Sequence, residues 1–179
     1  MYIIIMVTKQ LSKRVLRLLI EFCKQVHEKR KDRDNNNNDS GPHRLDRELV
    51  GKIGELCYAY KLDLMHLCDM TIYERGQVKL GGDLGKHIHV KTCHIKYKGT
   101  DFDSWLVDIN DAIYLKPSEE DLIYLAYANE EGYCEMIGHV KATDVYNRWE
   151  KSKKLAHKRA IYLDDIKDLI HEFNLKTNA

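Results

Sequence analysis

The chain is poor in the features that usually betray a function. It has almost no excess charge, since 29 lysines and arginines stand against 28 aspartates and glutamates, for a formal net charge of +1 at pH 7. The field of the whole molecule therefore offers nucleic acid no general attraction, and only local basic patches can do so. It lacks any apolar run of the roughly twenty residues that a bilayer span needs, so no membrane partner is expected. Its five cysteines, Cys23, Cys57, Cys68, Cys93 and Cys134, are odd in number and include no Cys-x-x-Cys pair. That spacing argues against a disulfide framework and a structural zinc site, and leaves buried free thiols in a reducing compartment as the expectation. No glycine-rich loop ends in Lys-Ser or Lys-Thr, which removes the support for P-loop nucleotide hydrolysis. The sequence contains no internal repeat.

What is present suits one domain over residues 1–179. With 44% hydrophobic and 32% charged residues the chain is neither disordered nor fibrous in character. At this length it can bury roughly two-thirds of its unfolded surface without a cofactor or disulfide. Met1-Tyr2-Ile3-Ile4-Ile5-Met6-Val7 is apolar but short, with no basic region before it and no small-residue cleavage site. It reads as an edge strand or packed arm, and the protein as cytoplasmic, or in the host cytoplasm if virus-encoded.

Residues 1–44 form an N-terminal arm, a helix and a loop. Leu11, Val15, Leu18, Leu19, Phe22, Cys23 and Val26 recur at helical spacing between Thr8 and about Lys29, opposite a basic face. The asparagine-rich stretch from Lys31 to Pro42 marks a loop. Residues 45–175 form the core. A second helix runs from about Leu45 to Leu62 with Glu55 beside its apolar stripe. Strand character follows at Met70–Tyr73, His87–Cys93, Trp105–Ile109, Leu122–Ala128 and Tyr133–Val140, the last two joined by a hairpin at Asn129–Gly132. A short helix over Thr143–Trp149, a strand at Ala160–Leu163 and a final helix with Ile166, Leu169, Ile170 and Phe173 complete the pattern. The order predicts an α/β or α+β fold with a single mixed central sheet flanked by helices.

One stretch carries chemistry: Gly81-Gly82-Asp83-Leu84-Gly85-Lys86-His87-Ile88-His89-Val90-Lys91-Thr92. The glycines and Asp83 predict a tight turn, and the alternation after it predicts a half-buried strand with His87, His89 and Lys91 on one face. An acid at the turn and a cation on the strand can then converge. Each residue also has a plainer reading: Glu55 as a solvated helix carboxylate, Asp83 as a turn residue, Lys91 as a snorkelling edge lysine. His87, His89 and His94 do not make a zinc site, because His94 is expected to point away from His89 and Cys93 to lie on the wrong face.

From Leu45 to Phe173 these residues resemble the PD-(D/E)XK, or restriction-endonuclease-like, nuclease superfamily, in a form seen in small phage, viral and prokaryotic proteins. The likeness rests on Gly54-Glu55-Leu56 in a helix, Gly81-Gly82-Asp83 at a turn, Val90-Lys91-Thr92 in a strand, Ile137-Gly138-His139-Val140 in a hairpin, and then a tryptophan-containing helix, a strand and a helix. It implies a metal-dependent endonuclease acting on DNA, with Glu55 and Asp83 as ligands of Mg²⁺ or Mn²⁺ and Lys91 positioning the attacking water. His89 stands where the family most often has Asp or Glu. An imidazole there favours Mn²⁺ or softer ions over Mg²⁺, and His89 reads as an auxiliary ligand, a general base or a donor to phosphate. The carbonyl of Val90 would be a further oxygen ligand.

Basic residues nominate the nucleic-acid surface: Lys13, Arg14 and Arg17 on the first helix, Lys96 and Lys98 flanking Tyr97 beyond the strand, and Arg148, Lys151 and Lys154 near the end. Two copies pairing to cut both strands is a further expectation. The rival reading is the same fold without turnover, a module that binds nucleic acid or protein after histidine took the acid's position.

Overall fold

A computed structural model of the chain describes residues 7–31, 43–71, 82–153, 155 and 158–171. Expectations for Met1–Met6, most of the asparagine-rich loop, Ile72, Tyr73, Gly81, Lys154 and Phe173 lie outside the described residues. Met70 and Thr71, expected in a strand, lie in irregular backbone.

The fold is mixed α+β. Its strands are β1 (Val7–Gln10), β2 (Ile88–His94), β3 (Ser104–Asp108), β4 (Leu122–Ala128), β5 (Tyr133–Lys141), β6 (Glu150–Lys151) and β7 (Lys158–Tyr162). Its helices are α1 (Lys13–Lys31), α2 (His43–Lys61) and two single turns, α3 (Ala112–Leu115) and α4 (Leu163–Ile166). Among the described residues the strands form two sheets, not the single sheet expected: four strands in the order β1-β5-β4-β2, and three in the order β3-β7-β6. Only the β2–β4 pair in these sheets is parallel, and β2 is an edge strand.

Three layers result. α1 packs on α2, and α2 lies across β2, β4 and β5. Leu49, Val50, Ile53 and Cys57 of α2 meet Val90, Tyr124 and Ala126 in one core. The opposite face of the larger sheet presents Cys93, Ile123, Leu125 and Tyr127 to Trp105, Val107 and Ile161 of the smaller one. β4 is covered on both sides, which explains why its sequence is an unbroken apolar run instead of an alternation.

The pairing of β4 with β5 is irregular between Leu125 and Ala126, and both outer layers bond to the carbonyls there. The Tyr58 hydroxyl of α2 reaches the Leu125 carbonyl at 2.5 Å and the Gly138 carbonyl at 3.1 Å. From the other side, Trp105 Nε1 donates to the Ala126 carbonyl at 2.9 Å. Gly138 has a φ of 151°, and a Cβ there would lie 2.6 Å from the carbonyl oxygen of His171. His171 and His139 exchange backbone hydrogen bonds at 2.8 and 3.1 Å.

Other differences from expectation are local. The first helix begins at Lys13, because Thr8–Gln10 pair with Cys134–Glu135 and Tyr133 as part of β1. Thr143–Trp149 gives turns and a 3-10 segment at Tyr146–Arg148, and among the described residues the terminal helix is the single turn α4. No helix among the described residues is long and apolar enough to cross a membrane.

Candidate metal centre

The turn before β2 folds back along the strand's outer edge. Gly82 donates to the Lys86 carbonyl and Leu84 to the Ile88 carbonyl, both at 3.0 Å, while Leu84 is buried and bridges to Cys68. A Cβ on Gly82 would run into the backbone of Ile88, so glycine is required at that close approach. Asp83 is thereby turned towards β2, and its Oδ2 accepts from the Val90 N–H at 2.7 Å.

Glu55 comes to the same stretch of β2 from above. Gly54 packs directly on the side chain of Thr92, leaving no room for a Cβ, and Thr92 lies two residues, roughly 7 Å, from Val90 along the strand. Lys52, one helical turn before Glu55, places its Nζ 2.5 Å from Glu55 Oε2 and 3.1 Å from the Asp69 carbonyl. Burial acts to lower the Lys52 pKa, but the carboxylate of Glu55, its hydrogen bond and the charge of Asp83 outweigh it, and the ammonium is held above its ordinary value. Glu55 and the Asp69 carbonyl thus flank a position whose positive charge Asp83 also favours.

His89 and Lys91 occupy the opposite face of β2. Lys91 Nζ lies 3.4 Å from Asp111 Oδ2, at the N-cap of α3. His89 Nε2 is 3.7 Å from Asp121 Oδ1, which also sits 2.8 Å from His87 Nδ1, while His87 Nε2 lies 2.9 Å from Glu120. Burial, and then the neighbouring Lys91, depress the His89 pKa against the opposing pull of Asp83, Asp111 and Asp121, which favours the neutral ring. Burial pushes the Asp121 pKa up, but the Ser118 N–H and the two histidines bring it below its ordinary value.

The expected residues are therefore divided. Asp83 stands at the strand edge, close enough to influence both Lys52 and His89, while Glu55 and Lys91 approach from opposite faces of β2. Val90 gives Asp83 its N–H. Cys93 does not lie on the other face from His89; it shares the face of His89 and Lys91 and is buried in the second core. His94 points away as expected and pairs with Glu130 at 2.8 Å. Among the described residues no group of three or more His, Cys, Asp or Glu side chains stands ready to hold a metal ion. The donor set around Lys52 nevertheless fits a hard divalent ion, because its members are carboxylate and carbonyl oxygens.

Of the basic residues, Lys13, Arg14 and Arg17 are exposed on α1, and Lys96 and Lys151 are exposed as well. Lys98 is engaged by Glu135, and Arg148 by the Asp165 carbonyl and Asp168. Sequence reading overlooked Lys52, Asp69, Asp111 and Asp121. The Lys52-x-x-Glu55 spacing was a legible signal; the other three come close only through tertiary packing.

Comparison of the chain with protein-family models, with curated proteins and with solved structures gives no match.

Proposed function

We propose that the protein is a divalent-metal-dependent nuclease that hydrolyses DNA phosphodiester bonds at the outer edge of β2. One observation supports this reading above the rest: Glu55 and the Asp69 carbonyl converge on a single cation, the Lys52 ammonium, whose charge Asp83 also stabilises. Mg²⁺ or Mn²⁺ held by Glu55 and Asp83 would polarise a phosphoryl oxygen and lower the pKa of bound water. Such an ion would take the position that the Lys52 ammonium fills beside Glu55, and Lys52 would then be a neighbouring cation for phosphate. Lys91 is held by Asp111 on the other face of β2, and to orient the attacking water it would have to leave Asp111 and reach round the edge of the strand. His89, whose pKa burial lowers, would be the group able to accept a proton on the Lys91 side of the strand edge. The exposed cations of α1 and Lys151 hold the nucleic-acid backbone away from the reacting bond.

The inactive-module reading has its own supporting observation. Lys52 already neutralises Glu55, and Lys91 faces away from that pair. Incubation with plasmid and single-stranded DNA in Mg²⁺ or Mn²⁺, beside Lys91→Ala, separates the two. Cleavage by the wild type that is lost in the variant supports the nuclease, whereas intact DNA that remains bound supports the module.

A further inference from the structure

A cavity of about 670 Å³ opens beside the C-terminal half of β2, between the first turns of α2 and strand β3. Three cations line it, Arg47, Lys96 and Lys153, against one carboxylate, Asp46. The rest of its lining is mixed, aliphatic at Val50, Leu106 and Leu155 and polar at Thr92 and Ser104. It includes two aromatic rings: Tyr97 and Phe102 meet edge to face with ring centres 6.4 Å apart, and Lys96 Nζ lies 5.2 Å from the centre of the Tyr97 ring. Phe102 is 42% exposed, so its ring is open to a ligand on the cavity side.

We propose that this cavity takes one unpaired nucleotide of a nucleic-acid strand, its base against Phe102 and Tyr97 and its phosphate on Lys96, Lys153 and Arg47. The inference rests on the nuclease reading for its orientation and adds the substrate's form. Size allows it, since pockets for single small molecules hold roughly 300–1,000 Å³. Chemistry favours it over a bare anion site, because cations alone recognise phosphate while an exposed ring beside them adds stacking. A duplex keeps its bases paired and stacked inside, so only an unpaired base can offer its face to Phe102. Position agrees as well. Thr92 and Cys93 line the cavity and Val90 holds Asp83, so cavity and candidate centre follow one another along β2. Along α2, Arg47 precedes Glu55 by eight residues, roughly 12 Å of helix. A strand seated by one nucleotide in the cavity would present a neighbouring phosphate to Glu55 and Asp83.

The test is binding by the full chain in EDTA, where no turnover occurs. The probes are a short fluorescent DNA single strand, its duplex, a nucleoside 5′-monophosphate and inorganic phosphate as competitors. The single strand should bind more tightly than the duplex, and the monophosphate should compete far better than phosphate. Phe102→Ala and the double variant Lys96→Ala/Lys153→Ala should each weaken strand binding about tenfold or more, the size of one stacked base or its phosphate contacts. All three side chains are exposed, so thermal melting should not change; Phe102→Tyr, which keeps a ring, should bind as the wild type does. Equal binding of duplex, equal competition by phosphate, binding of the free nucleotide but not of the strand, or indifference to Phe102→Ala would each overturn the proposal. Cleavage is read separately. Metal-dependent cutting without dependence on Phe102 would sink the cavity and spare the nuclease; Phe102-dependent binding without any cutting would do the reverse.

Discussion

Oδ2 of Asp83 accepts a hydrogen bond from the backbone N–H of Val90 at 2.7 Å, so the turn acid is fastened to the outer edge of β2. This bond gives Asp83 a structural duty, separable from the metal-binding one proposed for it. Asp83→Ala strands the Val90 N–H and should cost about 1–3 kcal/mol of stability. Asp83→Asn keeps an acceptor and should cost less, while losing most of the affinity for Mn²⁺. Urea denaturation and calorimetric Mn²⁺ titration of both variants check this, and equal losses in both measurements would show that the carboxylate has no separate role towards the ion.

Gly54 sets the distance between α2 and β2. A Cβ at that position would collide with the Thr92 hydroxyl and stand 3.1 and 3.2 Å from its Cβ and Cγ2. Alanine is the better helix former by about 1 kcal/mol, yet the overpacking should prevail and Gly54→Ala should destabilise by about 1–3 kcal/mol. Adding Thr92→Ala should recover most of that loss. A double-mutant cycle with additive effects would mean that the two elements do not depend on this contact.

Much of this was legible in the sequence where the physics is local. The amphipathic stripes of α1 and α2, the apolar run of β4 and the Asn129–Gly132 hairpin follow from periodicity and turn residues. Of these, α2, β4 and the hairpin form near their expected bounds, while α1 starts five residues later than expected because Thr8–Gln10 pair as a strand. The division into two sheets was not legible, because β3 and β7 pair at sequence separations of 50 to 58 residues and nothing in Trp105–Ile109 says which sheet it joins. Asp83 was recognisable from the turn, but that Lys91 would turn towards Asp111, away from α2, depends on packing that the sequence does not reveal. Cys93 was misplaced although strand alternation already puts it with His89 and Lys91.

Tyr58 is a buried tie between helix and sheet. Tyr58→Phe removes the hydroxyl that reaches both the Leu125 and Gly138 carbonyls and should cost about 1–3 kcal/mol. Chemical denaturation measures this directly. A loss below a few tenths would show that water or a shifted β5 satisfies those carbonyls.

His139 makes stability depend on pH. Its ring is stacked between Tyr124 and His171 with centres 5.0 and 5.3 Å away, and burial, then the adjacent His171, depress its pKa. The unfolded chain therefore binds the proton more readily than the folded one. Stability should be full above about pH 6.5, fall as pH drops from there to the lower folded value, and stay reduced below it. His89, depressed likewise, acts in the same sense. His139→Gln should flatten part of the slope of the urea midpoint between neutral and mildly acid pH; an unchanged slope would remove His139 from the account.

The shared position around Lys52 is tested most directly by crystals of the protein soaked in Mn²⁺ and measured by anomalous scattering. The account predicts a peak within coordination distance of Glu55 and Asp83 oxygens, with the Lys52 ammonium displaced from Glu55, and a stronger peak in Lys52→Met. No peak at that position in either protein, with Lys52 still seated on Glu55 in the wild type, would contradict it.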